Sequence, residues 1–173
     1  MARLNVAPTK SNLLMVKEQL TVAADGYELL EQKREILVMD LMRMVEKVKL
    51  LEREIEKQIN KAYPALKSML MAVGGDRVER LASGVKYDFK ISEKPVVVSG
   101  MNFSSIEVDL PKQELFYSSL DSFADSDKVM VEFFNLLKLL TDLASIRTIV
   151  WRLANEVRKT QRRVNALDKM VIP

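Results

Sequence analysis

The chain contains no cysteine and no histidine. Without them a disulfide framework, thiolate or imidazole metal sites, and Ser-His or Cys-His catalytic pairs are excluded, and much of enzyme chemistry with them. Glycine and proline number only five each among 173 residues and aromatics make up 6%, the composition of a helix-rich chain rather than of a sandwich or barrel. No apolar run approaches the roughly 20 residues of a membrane span, and Arg3 and Lys10 flank no apolar block of the signal-peptide kind. A soluble, cytoplasmic chain with no direct membrane insertion is the expectation. There is no GxxxxGK[ST] phosphate loop, and Gly74-Gly75 is too short to stand for one, so no cofactor and no active site are expected. The net charge of +3 permits nucleic acid without indicating it.

What is present is two long apolar stripes, one near each end. The first runs Leu13, Val16, Leu20, Ala23, Tyr27, Leu30, then Leu37, Leu41, Met44, Val48, Leu51 and Ile55, interrupted by Arg34. The second runs Val129, Phe133, Leu136, Leu140, Leu143, then Val150, Ala154, Val157 and Val164, interrupted by Arg147 and Gln161. Steps alternating between three and four average about 3.5 residues per turn, the period of a left-handed coiled coil. The fold class expected is all-α dominated: a long antiparallel two-helix coiled coil with a short β-hairpin and a small irregular segment at its distal end.

The pattern lays out one elongated domain over 1–173, with a long N-terminal helix at 9–73, a middle segment at 74–126 and a long C-terminal helix at 127–172. Thr9 or Ser11 is placed to cap the first helix after Pro8. Pro64 should kink that helix or end its regular part, and Gly74-Gly75 should close it as a left-handed cap. Some 60 helical residues would make a rod on the order of 90 Å long, which suits a shaft, lever or spacer. In the middle, Val85, Tyr87, Phe89 and Ile91 alternate with polar residues, Val96 to Val98 follow Pro95, and Ile106, Val108 and Leu110 alternate again. These predict strands of a hairpin that leans on the rod or on a partner, because a lone two-stranded ribbon is marginally stable. Ser122, Asp125 or Ser126 is placed to cap the second helix.

Facing residues of such a hairpin of helices have numbers summing to very roughly 200. That register sets Glu52 near Arg147 and Arg34 near 164–168, where Asp168 is the expected acceptor. It leaves Leu13, Val16 and Leu20 facing positions past Pro173, so either the first turns fray or the natural chain is longer. Charged residues in a seam ordinarily set register at some cost in stability.

Three separated motifs then carry a resemblance: APTKSNLL at 7–14, GYELLEQKREILVMDLM at 26–42, and TQRRVNALD at 160–168 with VIP at 171–173. Together, in this order, they resemble the D subunit of the vacuolar/archaeal-type rotary ATPases and ATP synthases. The resemblance covers the first 60 or so residues and the last 30 or so closely, and the middle in character only. It implies a central-stalk rotor shaft whose paired terminal helices enter the ring of catalytic A and B subunits. It further implies a middle segment that holds the small F subunit, and a lower end seated on a funnel-shaped subunit above the membrane ring. Such a chain is non-catalytic, carries no cofactor, and couples ATP hydrolysis or synthesis to proton or sodium transport. Most chains with these motifs continue for some tens of residues past VIP. Gln161 and Asp168 stand where the family more often has a basic residue and glutamate.

Torque transfer needs contacts that differ between nucleotide states, and polar contacts suit that better than a sticky apolar belt. Arg158, Lys159, Arg162 and Arg163 form a basic collar that would meet acidic loops of the catalytic ring, with Lys33 and Arg34 on the first helix as further candidates. The alternative for the four collar residues is a solvated helix face with local pairs such as Glu156–Lys159, and for Arg34 a register-setting seam charge. Val85, Tyr87, Phe89, Val96 and Val98 are the candidate contacts with the small F subunit. Trp151 is read as seam or flank packing, and Met39, Met42 and Met44 as coiled-coil filling or an adaptable partner surface. Two other functions fit the physics alone: a rigid coiled-coil tether with no rotary role, and a nucleic-acid arm using the collar on phosphates, which lacks interleaved aromatics.

Overall fold

A computed structural model describes residues 7–84, 89–110 and 124–172. In chain order the elements are α1 (Lys10–Val73), α2 (Gly75–Gly84), β1 (Lys90–Val98), β2 (Met101–Asp109) and α3 (Ala124–Ala166), followed by a π-helical turn at Leu167–Val171. They form two compact units, one of Met1–Arg43 with Val150–Pro173 and one of Met44–Ile149, and both long helices contribute to each. The fold is the expected one, helices of coiled-coil period with a two-stranded antiparallel hairpin.

Local chemistry explains the boundaries. Thr9 Oγ1 accepts from the Asn12 backbone N–H at 3.3 Å, capping one free N–H of the first turn of α1, and Asn12 Nδ2 donates to the Ala7 carbonyl at 2.8 Å, tying the preceding residues to that turn. Pro64 neither ends α1 nor divides it. Asn60, whose carbonyl loses its donor to the proline, and Pro64 itself are both exposed, so water can solvate the freed oxygen. Gly74 closes the helix at φ 87°, its N–H donating to the Leu70 carbonyl at 3.0 Å. The chain then turns at once into α2, an element the sequence pattern did not announce; Asp76 lies in its first turn, where a carboxylate is favourable. Ser126, a candidate cap, lies inside α3 and is 8% exposed; Ser122 lies outside the described residues, and Asp125 falls within α3.

In the first unit, Leu37, Leu153, Thr160 and Val164 are buried. Around Leu153 the second helix turns a line shifted by one residue from the one expected, with Leu153 and Thr160 rather than Ala154 and Gln161 the most covered, whereas Val164 is buried as expected. Leu13 and Leu20 are 56% and 44% exposed, while Val16 is half-buried.

In the second unit, Ile55, Ala62 and Met69 continue the α1 seam at a heptad spacing and are all buried. Ile55, Leu136 and Leu143 form a core cluster, with Val48, Leu51, Phe133 and Leu139 packed against it. The helices run antiparallel here: Glu52 meets Arg147, whereas Gln58, further along α1, meets Glu132, further back on α3. Tyr63 and Phe133 add a tilted ring pair with centroids 5.9 Å apart. Leu140, expected in the seam, is 44% exposed.

The hairpin pairs Lys90 with Asp109 through to Val98 with Met101. Ser99 and Gly100, at φ 51° and 73°, form the two-residue turn, the geometry whose twist matches the strands. The strand expected around 85–91 is placed differently: residues 85–88 lie outside the described set, Phe89 precedes β1, and Ile91 is inside it. A two-residue loop makes Val98 and Met101 a hydrogen-bonded pair, so by alternation Glu93 and Ile106 form a non-hydrogen-bonded pair whose backbone groups face outward. Pro95 falls in the same class, where its missing N–H leaves the ladder intact.

Candidate functional site

The outward backbone groups of Ile106 are taken by α3. Ser145, 3% exposed, accepts from the Ile106 N–H at 2.8 Å and donates to the Ile106 carbonyl at 3.1 Å. One hydroxyl thus serves both orphan groups of that residue and anchors the outer edge of β2. Phe103 is buried, and Phe89 meets Phe134 edge-on at 5.9 Å.

The candidate hairpin contacts are redistributed by this docking. Val85 and Tyr87 lie outside the described residues. Val96 and Val98 share a face with the buried Phe103 and are only half-exposed; Ile91 and Val97, on the opposite face, are 68% and 66% exposed. The apolar surface offered by the ribbon is therefore Ile91 and Val97, and Phe89, 40% exposed, is partly engaged with Phe134. At the ladder's other flank Lys94 is paired with Glu107, whose hydrogen bond and charge raise the lysine above its ordinary value near 10.5.

Each charged interruption of the stripes has a partner across the helix pair. Arg147 Nη2 donates to Glu52 Oε1 at 2.5 Å, with both side chains largely in solvent. Arg34 does not reach Asp168: its guanidinium is held by Glu31 one turn earlier and donates to Gln161 Oε1 at 2.9 Å. Asp168 is exposed, in the π-helical turn. Gln161 Nε2 donates onward to Asn165 Oδ1 at 2.9 Å. At position 161 the amide oxygen is able to accept from Arg34, which a cationic side chain there could not do.

Of the collar, Arg158, Arg162 and Arg163 are exposed and have no ion pair among the described residues. Lys159 lies 4.0 Å from Glu156, which also takes Lys33 at 3.9 Å. Arg34, with its side chain 28% exposed and both partners internal, belongs to the helix pair rather than to its surface. Trp151, expected to pack, is 68% exposed, two helical turns from Arg158 and beside Arg152. Met39 and Met42 are exposed at 55% and 65%, and Met44 is half-buried. Sequence reasoning also missed an open apolar groove on α1 beside Pro64, lined by Ile59, Tyr63, Leu66 and Leu70. The signal for it was present, since these residues recur at helical spacing on the flank beside the line of Ala62 and Met69.

No helix among the described residues is long and apolar enough to cross a membrane. Paired long helices with a docked two-stranded ribbon, and with Arg158, Arg162 and Arg163 exposed and without ion pairs among the described residues, define a structural chain built on a helix pair. More particularly, the chain belongs to the ATP synthase D-subunit family, whose model matches residues 12–173. It is 45% identical over 168 residues to the V-type ATP synthase D subunit 2 of Treponema pallidum, covering 97% of this chain and 80% of that one. It is 34% identical to the V-type ATP synthase D subunit of Thermotoga neapolitana and 31% identical to the A-type ATP synthase D subunit of Pyrococcus furiosus. Those two alignments span 98% of this chain and 84% and 81% of the relatives.

Proposed function

We propose that this chain is the central-stalk shaft of a V/A-type ATP synthase, a non-catalytic, membrane-peripheral subunit that couples ATP turnover in a ring of catalytic A and B subunits to rotation and ion transport. The observation that carries the reading is the family match, which spans both long helices and the hairpin between them. A shaft must be stiff and angularly asymmetric. Long helices of coiled-coil period, with cross-pairs at Arg34–Gln161 and Arg147–Glu52 to hold register, supply the stiffness. The asymmetry comes from the collar: Arg158, Arg162 and Arg163 stand unpaired on α3 and are available to acidic loops of the ring, so that each nucleotide state can hold the shaft at a different angle.

The hairpin is the proposed seat of the small F subunit. Ile91 and Val97 provide its apolar contact, and the outer edge of β1 offers the Ile91, Glu93 and Val97 backbone groups to a further strand, with Pro95 as a gap that limits unselective pairing. A funnel-shaped subunit above the membrane ring is the remaining proposed partner.

Co-purification with the A, B and F subunits of the same organism, with ATP hydrolysis assayed with and without this chain, tests the reading. A stable assembly whose turnover depends on the chain is expected. A folded chain that binds none of them would leave the rigid-tether function in its place.

A further inference from the structure

Helix α1 carries a second apolar stripe in the first unit that its own seam does not use. Met15, Val22, Leu29 and Ile36 recur every seven residues and are 46%, 66%, 67% and 51% exposed. With Leu13 and Val16 at positions a and d of a heptad, all four fall at c, so a supercoil that keeps the seam on its partner holds this line at one fixed angle from it. Arg43 takes the next c position and ends the stripe. Single exposed hydrophobics are ordinary on any surface, whereas a contiguous line in strict register is the pattern of a binding face.

Its two flanks differ in chemistry. Round the helix from c, one side holds positions f and then b, occupied by Glu18 and Asp25, then Glu28 and Glu35. All four carboxylates are exposed, and none has an ion-pair partner among the described residues. The other side, position g, holds Asn12, Gln19 and Gly26, with no charge before Lys33. A row of unpaired like charges beside an apolar ridge favours an occupant that brings cations to one border and apolar groups to the centre.

We propose that the face of α1 bearing Met15, Val22, Leu29 and Ile36 is a docking surface for a neighbouring chain of the assembly that presents apolar side chains bordered by lysine or arginine. The proposal rests on the shaft reading and deepens it. The first unit then has two partner faces of opposite sign, an acid-bordered ridge on α1 and the cationic collar on α3. A shaft so built presents different charge to a fixed surrounding surface at each angle, which is the differential contact that coupling requires.

The test is site-specific photo-crosslinking in the complex assembled with the A and B subunits, with benzoyl-phenylalanine placed at Val22, at Leu29 and, separately, at Arg162 to probe the collar. Products from positions 22 and 29 should map to a segment with lysine or arginine bordering its apolar residues. Combining the Leu29 probe with Glu28→Lys and Glu35→Lys should lower the yield about tenfold, by like-charge repulsion. Three results would overturn the inference while leaving the shaft reading standing: no product at 22 and 29 from a complex that gives one at 162, a product in an acid-bordered segment, or a product joining two copies of this chain. A chain that never enters the complex would overturn both.

Discussion

The two units are built from the same two helices, yet they bury their seams differently. In the second, Ile55, Leu136 and Leu143 form a cluster with four further apolar residues against it, and a β-ribbon docks on α3 through Ser145. In the first, burial is confined to a few seam residues, Leu37, Leu153, Thr160 and Val164, and large apolar side chains such as Val22, Leu29 and Trp151 remain in solvent. Helix pairing covers one stripe per helix in both units, and in the second the ribbon adds a further element on α3. The bare unit keeps apolar and charged faces available to partners, and the covered unit supplies more of the folding energy.

That contrast is sharpest in core truncations. Ile55→Ala should cost about 3–4 kcal/mol, because it empties a cluster to which several other apolar side chains of α1 and α3 contribute, and Leu153→Ala about 2 kcal/mol, because fewer buried apolar neighbours surround it in the first unit. Urea unfolding of the two variants measures the difference, and equal losses would break the comparison. Next in size is Ser145→Ala, at about 1–3 kcal/mol for leaving a buried N–H and C=O without partners. Hydrogen exchange should then show lost protection at the Ile106 amide, with amides of 20–40 unchanged. For the first unit, Arg34→Ala should cost about 1–2 kcal/mol, since Glu31 and Gln161 lose their shared donor; replacement by lysine should recover only part, one ammonium being unable to reproduce the forked contact.

Smaller effects separate register from stability. A double-mutant cycle on Arg147 and Glu52, both well exposed, should give a coupling of roughly 0.2–1 kcal/mol that fades with salt, so the pair selects alignment more than it stabilises. The smallest effect is at Lys94. Its value is raised by Glu107, so the favourable contribution is fully present below pH 10.5 and is lost as pH rises through the higher folded-state value. A Lys94→Met variant should accordingly be slightly less stable in the hairpin at neutral pH and lack the fall in stability above pH 10.5, so that its profile converges with the parent's at alkaline pH.

The seam of α1 was legible in sequence because it keeps a strict heptad from Leu13 to Ile55, and the structure extends the same line through Ala62 and Met69. On α3 the expected line was off by one residue around Leu153, because apolar residues lie on both sides of it there and period alone does not choose between Ile149 with Leu153 and Val150 with Ala154. The hairpin's existence was legible from alternation, but its strands were drawn from three fragments, and the register came from the positive-φ turn at Ser99 and Gly100. Of the candidate contacts, the collar was readable as a run of cations. That Arg34 is internally held, and that Ile91 and Val97 rather than Val96 and Val98 face outward, depended on which face of each element was covered.

By itself, the sequence determined the class of molecule: helices of coiled-coil period, a short ribbon between them, no thiol or imidazole chemistry, and motifs that place the chain in its family. Those properties are local or periodic, and a backbone with 3.5-residue patterning has few ways to bury it. Tertiary structure decided what the sequence leaves degenerate: the seam phase of α3, the partner of Arg34, the exposed face of the ribbon and the single hydroxyl that docks it. Each of these depends on the position of a residue far away in the chain, and the free energy of contact is realised only when both sides are in place.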